Sequence, residues 1–174
     1  QTLVDIVRQG KALYVGISKY PKEATEFAYK YLAERDVHCL LYQGKYNLFN
    51  REPEEEGILR QAKENGTGFI AFSPLAQGLL TNRYLNGIPE DSRMARGGFL
   101  KKEQLTEDVL SKIKALNKMA EERVQTLAEM ALAWVLKDDL VTSVIIGASS
   151  VAQLEDNLKA IRNTSFTKEE LRRL

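Results

Sequence analysis

Apolar residues along this chain follow two alternating rhythms. Four short, nearly unbroken apolar runs occupy 12–18 (ALYVGIS), 38–46 (HCLLYQGKY), 68–74 (GFIAFSP) and 141–148 (VTSVIIGA). Between them lie stretches in which apolar residues recur at i, i+3, i+4 and i+7, the period of a helix with one buried face. Leu3, Ile6 and Val7 make the first such stripe, with Gly10 placed to end it. Ala24, Phe27, Ala28, Tyr31 and Leu32 make the second, over 21–35, opened by Pro21. A third helix is predicted over 52–66, acidic in its first turn and closed by Asn65-Gly66. Two more follow, over 105–122 and 126–138. The second of these carries Leu127, Met130, Ala131, Trp134 and Val135 on one face behind a Thr126–Glu129 capping box. The last are 151–163 and 167–174, the latter opened by a second box at Thr167 and Glu170.

Unbroken apolar strands alternating with helices predict an α/β fold with a parallel sheet covered by helices. The order is a helix, then four (βα) repeats, with one extra helix before the last strand. It matches half of a (βα)8 barrel, with a small open doubly wound sheet as the other architecture. The 174 residues suffice for one core, so residues 1–174 are read as a single domain. Apolar residues are 44% and charged residues 28%, which places the chain among globular proteins rather than disordered ones. The net charge of +1 lacks the basic excess of a nucleic-acid-binding domain or a membrane-surface protein. Cys39 is the only cysteine, so no intrachain disulfide can form. No charged-then-apolar leader and no apolar run of membrane-spanning length is visible, and a cytoplasmic protein is expected.

In both architectures ligands bind beyond the C-terminal ends of the strands. The first end carries Ser18 and Lys19, the second Gln43 and then Tyr46-Asn47. The third carries Phe72, Ser73, Leu75 and Gln77. The fourth carries Gly147, Ser149 and Ser150, then Gln153, Asp156 and Asn157. Amides, hydroxyls and glycines dominate, without paired carboxylates or a Cys/His cluster. Such a surface suits holding a polar ligand more than breaking a bond. Each feature has a plainer reading: Ser150 with Gln153 spells a capping box, and Phe72 is by type a core aromatic. Gln43 inside an apolar strand is harder to explain structurally, because a buried amide needs partners. The long polar stretch after the third strand holds Arg83 and Arg93, and loops of that length inside a domain are usually functional or disordered. His38, the single histidine, lies at the N-terminal end of its strand, the face that serves stability rather than catalysis.

The segments YVGISKY, YQGKYNLFNRE, AFSPLAQGLLTNRYL and VIIGASSVAQLEDNLKAI resemble, in order, the C-terminal half of the aldo-keto reductases. The branch is the one holding bacterial glyceraldehyde-3-phosphate reductases and potassium-channel β-subunits. The resemblance implies the last four strands of a TIM (βα)8 barrel that reduces small aldehydes or ketones with NADPH. It implies that Ser18 and Gln43 hold the nicotinamide carboxamide and that Phe72 stacks on the ring. Ser73, Leu75 and Gln77 would line the pyrophosphate. Gly147, Ser149, Gln153, Asp156 and Asn157 would hold the adenosine end, and Arg83 and Arg93 the 2′-phosphate and adenine. Lys19 stands where many members have Asn, and Gln153 where other branches have Arg, which shifts 2′-phosphate recognition onto Arg83 and Arg93.

The family's catalytic Tyr, Lys, Asp and His come, by the same resemblance, from the first four strands, which this chain does not contain. The chain alone is therefore expected to be inactive, its partner being the missing N-terminal half or a second copy closing the barrel. Two other readings stay open: a non-catalytic NADPH-binding or interaction module, and a different phosphate-binding TIM-barrel fragment.

Overall fold

The computed structural model describes residues 1–90, 92, 94, 95, 97 and 101–174. Four strands form one sheet: β1 (Val15–Ser18), β2 (Cys39–Lys45), β3 (Gly68–Phe72) and β4 (Ser143–Ile145). Every pairing is parallel, and the spatial order β1-β2-β3-β4 repeats the chain order. The helices are α1 (Thr2–Arg8), α2 (Lys22–Ala33), α3 (Glu52–Glu55), α4 (Ile58–Glu64), α5 (Glu107–Glu122), α6 (Leu127–Val135), α7 (Val151–Leu158) and α8 (Lys168–Arg173). The extra helix before the last strand is present, since α5 and α6 both fall between β3 and β4.

The single helix expected over 52–66 is two. Gly57 sits at φ +80° between α3 and α4, a left-handed conformation that glycine adopts without strain, and it breaks the helical run there. The first strand starts three residues later than its apolar run, leaving Leu13 and Tyr14 82% and 67% exposed. The long segment after β3 is neither empty loop nor helix. It holds short 3₁₀ turns at Ala76–Gly78, Asn82–Tyr84 and Lys102–Gln104, and it buries Leu80, Tyr84 and Met94.

The two sheet faces differ. Val15, Ile17, Tyr42, Phe69 and Ala71 point into the helix layer and are buried. They pack with Trp134, Tyr46 and Leu59 in the main core. Phe69 stacks on Tyr42 at 5.4 Å between ring centres and meets Tyr46 edge-on. The other face has no layer over it among the described residues. Register aligns Ser18, Gln43, Ile70 and Ser143 in one row across it, and Lys45, Phe72 and Ile145 in the next. Each of these seven is exposed or half-exposed. Large apolar side chains are also exposed beyond each end of the sheet, with Tyr14 and Phe27 near β1 and Val151, Leu158 and Ile161 after β4. A parallel sheet normally buries both faces; this one buries a single face.

Polar contacts lock the periphery. Thr126–Glu129 and Thr167–Glu170 form the two predicted capping boxes. Arg123, its side chain 5% exposed, bonds to Glu170 at 2.5 Å and to the Ser165 carbonyl at 2.9 Å. Its guanidinium lies 3.8 Å from the Phe166 ring centre, so it fastens the C-terminal segment to the turn between α5 and α6.

Candidate functional site

Beyond the C-terminal ends of β3 and β4 lies a cleft of about 450 Å³, within the size range of small-molecule and cofactor sites. Phe72, Ser73, Leu75, Gln77 and Arg83 line it from the β3 side. Gly147, Ser149 and Gln153 line it from the β4 side. Thr81 and Tyr84, which sequence reasoning did not select, also line it.

The β3 wall is an irregular backbone segment. Ser73, Ala76 and Gln77 all have positive φ (53°, 46° and 60°), followed by Gly78 at 103°. Non-glycine residues in this region are strained, and such strain persists where surrounding contacts over-determine it. Here Ala76 N–H bonds to the Ser73 carbonyl, and Gly78 N–H to that of Leu75. The N–H groups of Leu75 and Gln77 meet no acceptor among the described residues. Successive N–H groups in turns of this kind make concavities suited to anions. Thr81 hydroxyl donates to the Gly78 carbonyl at 2.7 Å and accepts from Arg83 N–H, which sets the next turn.

The β4 wall is built by side-chain capping. Ser150 hydroxyl accepts from Gln153 N–H, as an N-cap does. The reciprocal bond of a capping box lands one residue early: Gln153 Oε1 accepts from both the N–H and the hydroxyl of Ser149, at 2.7 and 3.0 Å. Gln153 thus shapes the Gly147–Ser149 turn, and its amide NH₂ makes no hydrogen bond among the described residues.

Other candidates stand apart from the cleft. Ser18 and Gln43 are paired neighbours on the uncovered sheet face, one row from Phe72. Gln43, singled out as an amide needing partners, is only half-buried and makes no side-chain hydrogen bond among the described residues. Asp156 is exposed and paired with Lys159 at 2.6 Å. Asn157 is buried on α7, and its Nδ2 has no acceptor among the described residues. Arg93 lies outside the described residues.

Among the described residues one Tyr–Lys pair has the look of a proton donor. Tyr46 hydroxyl accepts from Lys137 Nζ at 2.9 Å and donates to Glu54 Oε2 at 3.1 Å. The pair is a structural clamp. Tyr46 is fully buried, and burial together with the Glu54 carboxylate drives its hydroxyl far above the ordinary tyrosine range. A general acid needs the opposite shift and access to substrate. Cys39, buried, likewise has its thiol pushed up by desolvation. Among the described residues no cluster of three or more His, Cys, Asp or Glu could hold a metal, and no helix is long and apolar enough to cross a membrane.

Residues 1–174 match the Aldo/keto reductase family over their whole length. The chain is 51% identical over 173 residues to the L-glyceraldehyde 3-phosphate reductase of Escherichia coli (strain K12), covering 97% of this chain and 50% of that protein. It is 36% identical over 160 residues to a probable voltage-gated potassium channel subunit beta of Arabidopsis thaliana, covering 90% of this chain and 49% of that protein. Among solved structures, a thermostable aldo-keto reductase, Tm1743, in complex with the inhibitor epalrestat matches with a TM-score of 0.68 at 25% identity, covering 98% of this chain and half of that one. The chain thus spans about half the length of the curated relatives it matches. Its parallel (βα) repeats superpose on half of an aldo-keto reductase barrel, which rules out the doubly wound sheet and an unrelated phosphate-binding barrel. With four parallel strands, an added helix before the last and a family match from end to end, the chain belongs to the aldo/keto reductase family.

Proposed function

We propose that this chain is the NADP(H)-holding half of a reductase acting on small aldehydes or ketones. The cleft carries the reading: strand-end residues from β3 and β4 converge on one cavity of dinucleotide-compatible chemistry. When bound, NADPH supplies the hydride. Ser18 hydroxyl and Gln43 amide hold the carboxamide, and the half-exposed Phe72 ring covers one face of the nicotinamide. The acceptor-less N–H groups of Leu75 and Gln77, with Ser73, take the pyrophosphate. Gly147, Ser149, Gln153, Asp156 and Asn157 take the adenosine, and Arg83 and Arg93 the 2′-phosphate, which a guanidinium can bind bidentately. The uncovered sheet face and the exposed apolar side chains at both sheet ends support a second set of strands closing the barrel. That half brings the proton donor, since Tyr46 is in no position to act as one.

Titration with NADPH and NADH, followed by cofactor fluorescence, tests this reading. NADPH is expected to bind, and Arg83→Ala to weaken it about 10-fold or more, the loss of a charge-assisted contact, with a smaller effect on NADH. A folded protein that binds neither nucleotide refutes the proposal. The relation to a potassium-channel subunit favours a second reading, cofactor binding without turnover. Binding with no carbonyl reduction, once the barrel is complete, would select it.

A further inference from the structure

We infer that Asn47 is a positioning residue for the anion-facing wall of the cleft, acting without touching a ligand. The inference rests on the cofactor reading above. Asn47 is the second residue after β2 and is fully buried. Its Oδ1 accepts from the N–H groups of Phe49 and Asn50, both at 2.9 Å, which forms a local Asx-type turn. That alone would explain an asparagine here. Its Nδ2 does something further: it reaches 26 residues along the chain and donates to the Ser73 carbonyl at 2.9 Å.

Ser73 is the first left-handed residue after β3. Its carbonyl accepts twice, from Asn47 Nδ2 and from Ala76 N–H at 2.9 Å. The preceding carbonyl, that of Phe72, accepts from Tyr46 N–H at 3.4 Å. Two consecutive carbonyls leaving β3 are thus held by two consecutive residues leaving β2. With the Phe72 and Ser73 carbonyls committed to the residues that follow β2, the chain turns through 73–78, where Leu75 and Gln77 line the cleft and their N–H groups meet no acceptor among the described residues. A serine at φ +53° is unfavourable for its own backbone, so an external contact must hold it there. Asn47 is the one side chain among the described residues that makes this contact.

Asn47→Asp separates the two roles. It keeps both accepted bonds of the turn and removes the donor to Ser73. The full chain is titrated with NADPH and, separately, with 2′-AMP, which carries the 2′-phosphate and adenine but no pyrophosphate. The expected result is about tenfold weaker NADPH binding, the equivalent of one ordinary hydrogen bond, with 2′-AMP affinity unchanged within about twofold and a cooperative thermal transition retained. If Asn47→Asp does not fold, Asn47→Ser, whose shorter hydroxyl keeps an acceptor for the turn and no longer spans the distance to the Ser73 carbonyl, carries the same expectation. Unchanged NADPH binding, or parallel loss of both ligands, overturns the inference. Failure of the unaltered chain to bind NADPH overturns the cofactor reading itself.

Discussion

Gly44 is buried against the Phe69 and Tyr42 rings, and the cost of adding one methyl there can be worked from the contacts. A Cβ at Gly44 would stand 2.6 Å from Cζ and 3.0 Å from Cε2 of Phe69, and 3.1 Å from Cε1 of Tyr42. Ordinary carbon contacts begin near 3.5 Å, so Phe69 must retreat by roughly 1 Å. It has little freedom to do so, being fully buried between Tyr42 and Tyr46. Driving the ring about 30° off its rotamer costs ~0.5–1.5 kcal/mol. Disturbing its two aromatic contacts costs ~0.5–1.5 kcal/mol more. Gly44→Ala should therefore destabilise by about 2 kcal/mol, within the usual range for overpacking. The assay is urea unfolding followed by circular dichroism, with the midpoint falling at unchanged slope. A smaller ring neighbour should relieve the clash. The double variant Gly44→Ala/Phe69→Leu is expected to be less destabilised than the sum of its singles by roughly 1 kcal/mol. A neutral Gly44→Ala, or strict additivity with Phe69→Leu, would refute the claim that the aromatic sandwich excludes a side chain at this position.

Two further outcomes follow from the fold. Arg123→Met leaves Glu170 and the Ser165 carbonyl without their buried partner, and should cost about 3 kcal/mol and lower Tm by about 6–12 °C; proteolysis should then reach residues 163–174 first, and unchanged Tm would show the clamp to be idle. In alkali, burial pushes the Tyr29 hydroxyl up to about 12 and raises those of Tyr42 and Tyr46 as well. The unfolded chain ionises these groups near pH 10 while the folded chain keeps its protons, so stability is full below pH 10 and falls above it. The slope is about 1.4 kcal/mol per pH unit for each such tyrosine; Tyr29→Phe should flatten the curve between pH 10 and 12, and an unaltered slope would contradict the shift.

The strands and most helices were legible because their apolar runs and stripes are local signals. Where the reading erred, a local signal lacked a long-range partner or met a backbone exception. Leu13 and Tyr14 read as strand but have no neighbour to pair with, and Gly57 ends a helix that the apolar pattern carries through. The rule that ligand sites lie beyond strand C-termini led to Phe72, Ser73, Gly147 and Ser149, and these four line the cleft. Thr81 and Tyr84 were invisible because their position depends on how the segment after β3 folds back. The Asn47–Ser73 bond could not be read from either residue, since it joins two strand exits that only the sheet brings together. Ser150 was rightly read as a cap, while the bond from Gln153 to Ser149 rather than Ser150 depends on a turn geometry with no sequence marker.

The cleft spans the weakest seam of the sheet. β3 and β4 share only three register pairs, Ile70–Ser143 to Phe72–Ile145, against five between β2 and β3. The crossover between them, residues 73–142, is about three times as long as the crossover of 46–67, which adds roughly 1 kcal/mol of loop-closure entropy. β4 is therefore expected to join last during folding and to detach first in native fluctuations. Each detachment takes Gly147, Ser149 and Gln153 away from Phe72 and Ser73, so a ligand bridging the two walls is also the rivet across that seam. On the proposed cofactor reading, its concentration then sets not only occupancy but how often this seam opens, and amide exchange at Thr142, whose N–H bonds to the Phe69 carbonyl across the seam, would record bound nucleotide.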